Sequence, residues 1–338
     1  MIMQRKCCVA AMVLPALISV ALSHAQSPRA SRQVGRPVRI VSFSFRPGKP
    51  LDQILKLVDR EGAKGADLIV LPETWRGQND QSVEAIDGPT SKALMRLATK
   101  HQTYIVSPID AICDDKKRCN TAVVIDREGK IAGTYNKVFP YWSEYRHKVP
   151  VHPGRDASVI ETDFGKLGMA ICFDVNFPEV WQELADGGAE LVVWPSAYSA
   201  GRHLQAYALL HHYYIVTATY QGDCQVYDIT GERILDERSE GIHVSRIILD
   251  LDRGIYHRNF NGEKLTKLLA AHGDEISKVE DLDREAWYVL QATEPGVSAR
   301  ALAKQYGMEE LRDYIHRSRR EIDKMRATNS QRVPLSGK

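Results

Sequence analysis

The side chains with the most chemical promise are a cysteine, a carboxylate and a lysine, each placed where the chain changes direction. Cys172 ends an apolar run over residues 166–171, and Pro178 suits the first turn of a helix whose inward face carries Trp181, Leu184 and Ala185. A thiol at such a strand-to-helix turn lies near N–H groups that favour negative charge, and so favour thiolate. Glu73 follows a second buried run closed by Pro72, and Lys137 stands in Tyr135-Asn136-Lys137-Val138 at the end of a third. Sulfur can attack a carbonyl, a carboxylate can carry its proton, and an ammonium can hold the charge that develops on oxygen. Each residue also has an ordinary reading: Cys172 as a small core side chain, Glu73 and Lys137 as solvated charges. Their value lies in the ordered set, because active sites of helix-covered sheets gather at strand ends.

The elements that must position them can be read in order. A strand over residues 38–45 precedes a helix with Leu51, Ile54, Leu55 and Val58 at amphipathic spacing, and the strand over 65–71 follows. Leu94, Leu97 and Ala98 mark a second helix after Pro89, residues 104–112 and 120–126 pair as a hairpin, and 131–138 follows a turn at Asp126-Arg127-Glu128-Gly129. From Val159 the order repeats, and residues 188–196 echo 65–73 in a glycine, an alanine, an acid, a leucine, a valine and a proline at matching places. Two related half-units, or chance likeness between two buried strands, would both give this echo. Under the first reading Glu73 and Ser196 hold equivalent strand ends. A helix over 202–212 then precedes strands at 214–220, 224–229 and 243–250.

Helices alternating with strands, with hairpins inserted, imply an α/β chain built on mixed sheet covered by helices, as one domain over residues 37–254. Residues 255–338 are expected to form a helical extension with helices at 262–272, 299–306 and 308–325, and a disordered tail after Arg326. The last helix gathers Leu311, Ile315, Ile322 and Met325 on one side, a stripe that needs the core or a partner subunit to pack on.

At 338 residues, 43% hydrophobic and 26% charged, the chain can bury a full core, and its formal charge of +2 supplies no pull toward nucleic acid. Arg5 and Lys6 precede an apolar run over residues 7–22, then Ser23-His24-Ala25 and Gln26-Ser27-Pro28. This pattern is an export signal over residues 1–25, with a polar linker over 26–36; a retained anchor is the alternative. The mature chain is expected in the periplasm or outside the cell, without stable membrane insertion. Four cysteines remain after cleavage. Cys113 and Cys119 bracket a charged loop and are the disulfide candidate, leaving Cys172 and Cys224 as thiols; a zinc site is the alternative, but no further Cys or His pair has the spacing, so no metal is expected.

Glu73, Lys137, the intervening Glu144 and the run Cys172-Phe173-Asp174-Val175-Asn176-Phe177-Pro178-Glu179 together resemble the nitrilase, or carbon–nitrogen hydrolase, superfamily, most closely its amidase and carbamoyl-amide hydrolase branches. The resemblance covers residues 37–254. It implies a four-layer αββα sandwich of two mixed sheets, a homo-oligomer such as a dimer, and no cofactor. It also implies Glu73 as general base, Lys137 as oxyanion stabiliser, Cys172 as nucleophile, Glu144 as the second glutamate and the Phe173 N–H as a further oxyanion donor. The implied reaction is hydrolysis of a non-peptide C–N bond in a small linear amide or N-carbamoyl amide through a thioester. Nitrile-cleaving members carry a tryptophan-glutamate pair where this chain has Phe173-Asp174; a nitrile hydrolase and a catalytically silent binding member are the alternatives. Tyr141 and Trp142 beside Glu144, and Tyr198 and Arg202 after the second strand end, are the candidate substrate residues, with Arg202 suited to a carboxylate.

Overall fold

The computed structural model describes residues 33–79, 81–113, 116–146 and 148–328. The expected export signal, most of the linker after it and all but the first two residues of the expected disordered tail lie outside the described residues.

The first half of the chain runs β1 (Pro37–Ser44), α1 (Leu51–Gly62), β2 (Leu68–Val70), β3 (Glu84–Ala85), α2 (Pro89–His101), β4 (Tyr104–Ile112), β5 (Arg118–Ile125) and β6 (Ile131–Asn136). After a four-residue helix α3 (Trp142–Tyr145) come β7 (Val159–Thr162), β8 (Gly165–Met169), a 3₁₀ turn (Cys172–Asn176), α4 (Pro178–Asp186), β9 (Leu191–Ser196) and α5 (Arg202–His211). The second half then closes with β10 (Tyr214–Thr219), β11 (Asp223–Tyr227), β12 (Arg233–Arg238) and β13 (His243–Asp250). One sheet has the order β13-β1-β2-β4-β5-β6 with β3 beside β4, and the other β12-β11-β10-β9-β8-β7.

In each sheet three parallel strands occupy the middle, β1-β2-β4 and β8-β9-β10, and antiparallel strands flank them. The echo between residues 65–73 and 188–196 therefore has a spatial meaning: β2 and β9 hold the same place in their sheets. Burial on both faces explains why these strands read as continuous apolar runs. Ile69 joins Ile54, Val58, Leu94 and Ala98 beneath α1 and α2, whereas Leu68 and Val70 join the core shared with the second sheet, α4 and α5. The four layers are helices, sheet, sheet, helices. At one corner the two sheets are tied by polar groups, Ser42 Oγ donating to the Thr217 carbonyl at 2.5 Å and Ser44 Oγ to the Thr219 carbonyl at 2.6 Å.

The C-terminal extension departs from the all-helical expectation. It contains β14 (Gly254–His257), α6 (Arg258–His272), β15 (Ile276–Leu282), β16 (Trp287–Ala292), α7 (Ala299–Gln305) and α8 (Leu311–Thr328), with an antiparallel sheet in the order β14-β16-β15. The edge strand β15, Ile276-Ser277-Lys278-Val279-Glu280-Asp281-Leu282, carries three charged residues and is only partly buried, so it lacks the apolar run that marks a core strand. Tyr256, Leu268, Tyr288, Leu290 and Ala303 give this part its own core. Ion pairs fasten it to the sandwich: Glu190 receives both Arg36 and Arg300, and Arg300 also meets Glu310. Of the apolar stripe on α8, Leu311 is buried, while Ile322 and Met325 remain exposed.

Candidate active site

Two strand ends meet to build the site. β2 runs out at Val70, and the chain turns so that Glu73, 4% exposed, points back between the sheets; β9 ends at Ser196, and the next backbone N–H, that of Ala197, donates to Glu73 Oε2 at 2.9 Å. Lys137 follows β6 and is 1% exposed. Its ammonium donates to Glu73 Oε1 at 2.8 Å and to Glu144 Oε2 at 2.6 Å. An ammonium has three N–H donors, so one remains for a substrate oxygen.

Cys172 opens the 3₁₀ turn with φ of 46°, a left-handed conformation that costs a non-glycine residue on the order of 1–3 kcal/mol. The turn is held by Asp174, whose Oδ2 accepts the Ile171 N–H and the Tyr135 hydroxyl and whose Oδ1 accepts the Phe139 N–H. The Trp194 indole N–H donates to the Cys172 carbonyl at 3.1 Å. Phe173 N–H is among the first N–H groups of the turn, which lack partners inside it. The expectation that a helix N-terminus lowers the thiol's pKa is corrected here. α4 starts only at Pro178, beyond the 3₁₀ turn, and burial, then the negative charge of Glu73, push the Cys172 thiol up to about 12 against the pull of Lys137. The sulfur is a thiol at rest and needs a base.

Which glutamate can be that base follows from counting donors. A carboxylate offers about four lone-pair sites. Glu144 has all of its own filled: Gln78 at 2.6 Å and Asn120 at 2.9 Å on Oε1, Lys137 and the Tyr141 N–H, each at 2.6 Å, on Oε2. Glu73 has Lys137 and Asn120, each at 2.8 Å, on Oε1, but only the Ala197 N–H on Oε2. One site on Glu73 Oε2 stays open. Burial opposes the charge on Glu144, but Lys137 with the Asn120 and Gln78 donors outweighs it and lowers the pKa, so Glu144 stays ionised. Burial likewise opposes the charge on Lys137, and the carboxylates of Glu73 and Glu144 overcome it, holding the ammonium well above its ordinary value.

Glu73, Lys137, Glu144, Cys172 and Phe173 line one cavity of about 540 Å³, together with Tyr141, Tyr198 and Tyr220. Tyr141 and Phe173 meet edge to face at 5.1 Å, giving the cavity an aromatic wall. Two of the four candidate substrate residues are thus placed at the cavity and two are not. Trp142 is half exposed and stacks near Arg146 instead, because positions two apart on α3 face opposite ways and Glu144 takes the inward one. Arg202 is exposed on α5, whose inward face is made by Leu204, Tyr207 and Ala208. Sequence reasoning also missed Gln78, Asn120 and Tyr220. Cys113 and Cys119 are joined as a disulfide with Cα atoms 5.9 Å apart, and Cys172 and Cys224 are free and buried. Among the described residues no cluster of His, Cys, Asp and Glu is arranged to hold a metal ion.

Residues 30–254 match the family model for carbon-nitrogen hydrolases. A hydrolase of Schizosaccharomyces pombe is 30% identical over 161 residues, 44% of this chain and 50% of that protein, so this chain spans half of that relative's length. Omega-amidase NIT2 of Xenopus tropicalis is 26% identical over 213 residues, 59% of this chain and 75% of that protein. Among solved structures, Nit3 of Saccharomyces cerevisiae, a member of branch 10 of the nitrilase superfamily, superposes with a TM-score of 0.55 at 21% identity, covering 65% of this chain and 93% of that one. That likeness carries the fold, a sandwich of two mixed sheets between helices. With the family model spanning both half-units and every residue of the cavity, the chain belongs to the carbon-nitrogen hydrolase family.

Proposed function

We propose that this protein hydrolyses the C–N bond of a small linear amide or N-carbamoyl amide through a thioester on Cys172, releasing ammonia or an amine. The observation that carries this reading is the shared cavity, in which a thiol, a carboxylate with one open acceptor site and an ammonium with one spare donor converge. Glu73 takes the thiol proton as sulfur bonds to the carbonyl carbon. Charge moves to the carbonyl oxygen, where the spare Lys137 donor and the Phe173 N–H hold it, an effect commonly worth about 3–4 kcal/mol per donor in a dry site. Glu73 returns the proton to nitrogen, the C–N bond breaks, and ammonia or an amine departs. Water then gives its proton to Glu73 and attacks the thioester, and the returning proton restores the thiol.

The aromatic wall of Tyr141, Phe173 and Tyr198 suits a short, flat or apolar acyl group. Asp174, spent on three hydrogen bonds that hold the nucleophile turn, leaves no acid beside the cysteine of the kind expected in a nitrile-cleaving member. The reading includes export. A disulfide at Cys113–Cys119 fits an oxidising compartment, as the leader-like first residues do. It also includes self-association, for which Ile322 and Met325 offer exposed apolar surface. The test is ammonia release from a panel of linear amides, N-carbamoyl compounds and nitriles, beside a Cys172→Ala control. Amides and carbamoyl compounds are expected to react and the control to be silent. If no compound exceeds the control, the hydrolytic reading fails.

A further inference from the structure

Asn120 is the third residue of β5, fully buried, and reaches every charged member of the cluster. Its Nδ2 donates to Glu73 Oε1 at 2.8 Å and to Glu144 Oε1 at 2.9 Å, and its carbonyl accepts the Lys137 backbone N–H at 2.9 Å. The amide's orientation is fixed by its neighbours: turned over, Oδ1 would face two carboxylates. As placed, Oδ1 has no protein partner. A buried amide held this way serves its neighbours at its own expense.

We infer that Asn120 is a positioning residue that decides which oxygen of Glu73 takes the proton from Cys172. With Lys137 alone on Oε1, that oxygen would keep an open acceptor site of its own, in competition with Oε2 for the proton. Asn120 fills it. The remaining open site is on Oε2, whose neighbour, the Ala197 N–H, also steadies the Cys172 sulfur. Asn120 thereby splits the two glutamates into distinct jobs: Glu144 is saturated and fixed, and Glu73 is left with a single opening, on Oε2. The inference rests on the hydrolytic reading of the site, and it assigns to a neutral side chain, one that takes up no proton, the control of where the proton goes.

The test uses the purified full chain and iodoacetamide, with peptide mapping to follow alkylation at Cys172 alone, so it needs no knowledge of the substrate. Glu73→Gln serves as the reference for loss of the base. Asn120→Ala removes the donor. Asn120→Asp keeps size and shape and exchanges the donor for an acid that holds its proton only at low pH, so it tests donation even if the alanine variant folds poorly. Alkylation of Cys172 is expected to slow by at least about 10-fold at neutral pH in both variants. In Asn120→Asp the rate relative to the unaltered protein is expected to fall as pH rises between about 5 and 8, as the new carboxyl turns from donor to third anion. A role in packing alone predicts an unchanged pH profile for the isosteric variant, and that result overturns the inference. If instead the unaltered protein and Glu73→Gln are alkylated at the same rate, the base itself is misassigned, and the inference falls together with the reading it rests on.

Discussion

The Ala197 backbone N–H donates to Glu73 Oε2 at 2.9 Å across a separation of 124 positions, so the end of one half-unit holds the carboxylate at the end of the other. Neither strand end is complete without its counterpart. Glu73→Gln is expected to reduce ammonia release on the order of 10²-fold or more, since the proposed general base is removed while the side chain's volume is kept. The same variant faces an NH₂ toward the Ala197 N–H, and should lose about 1–2 kcal/mol of stability in urea unfolding. Turnover within threefold of the unaltered protein would place the base elsewhere.

Lys137 lies between two buried carboxylates, and its removal has a cost that depends on pH. Lys137→Met fills the space but leaves Glu73 and Glu144 facing each other without a counter-charge, a change expected to destabilise by about 3–5 kcal/mol near neutral pH. Glu144, now held below its ordinary value, loses the cation that holds it there. Its protonation becomes easier in the folded state, so the deficit should shrink as pH falls toward the carboxylate range. Urea midpoints for the variant and the unaltered protein at several pH values give the comparison. A deficit that is constant with pH would mean that the two carboxylates do not depend on the lysine.

The candidate residues that share the cavity were legible because each closes a recognisable element: Glu73 after Pro72, Lys137 after β6, Cys172 after β8. Asn120 carries a fainter signal, a polar pair with Thr121 inside a strand that is buried at every position. Polar side chains in such a strand need partners, and that alone marks them for attention. The Ala197 N–H has no sequence signal whatever, because any residue but proline supplies one. Trp142 and Arg202 misled for a different reason: nearness in sequence to Glu144 and to the β9 end says nothing of which way a helical side chain faces.

The disulfide between Cys113 and Cys119 closes a loop with a separation of 6 residues, next to Arg118, whose guanidinium makes a two-point pair with Asp110. In the chain-entropy view so small a loop contributes about 2 kcal/mol. The β4–β5 ladder pairs Ile112 with Arg118, right beside the disulfide, so backbone hydrogen bonds also hold this end. Reduction is therefore expected to lower the unfolding free energy by up to about 2 kcal/mol while the fold persists, measured by urea unfolding with and without a phosphine reductant. A reduced protein that no longer folds would show that the ladder cannot hold its own end.

His211 and His212 should make the protein acid-sensitive. Burial, then the Arg312 cation, holds His211 down to about 4; burial holds His212 down to about 4 despite the Ile229 carbonyl, which pulls the other way. In the unfolded chain both titrate near 6.5, so as pH falls the unfolded state takes up protons first. Their contribution to stability is complete above about pH 6.5 and is lost between there and about pH 4, amounting to roughly 3 kcal/mol for the better-buried His212 and less for His211. The loss should be felt first at the C-terminal extension, because Arg312 of α8 donates to the Ala189 carbonyl at 2.7 Å and the His212 carbonyl at 2.6 Å. Limited proteolysis at about pH 7 and pH 4.5 is expected to cut near α8 only at the lower value, and His212→Gln to flatten the pH dependence of the urea midpoint. If the variant retains the full acid sensitivity of the unaltered protein, the titration lies in other groups.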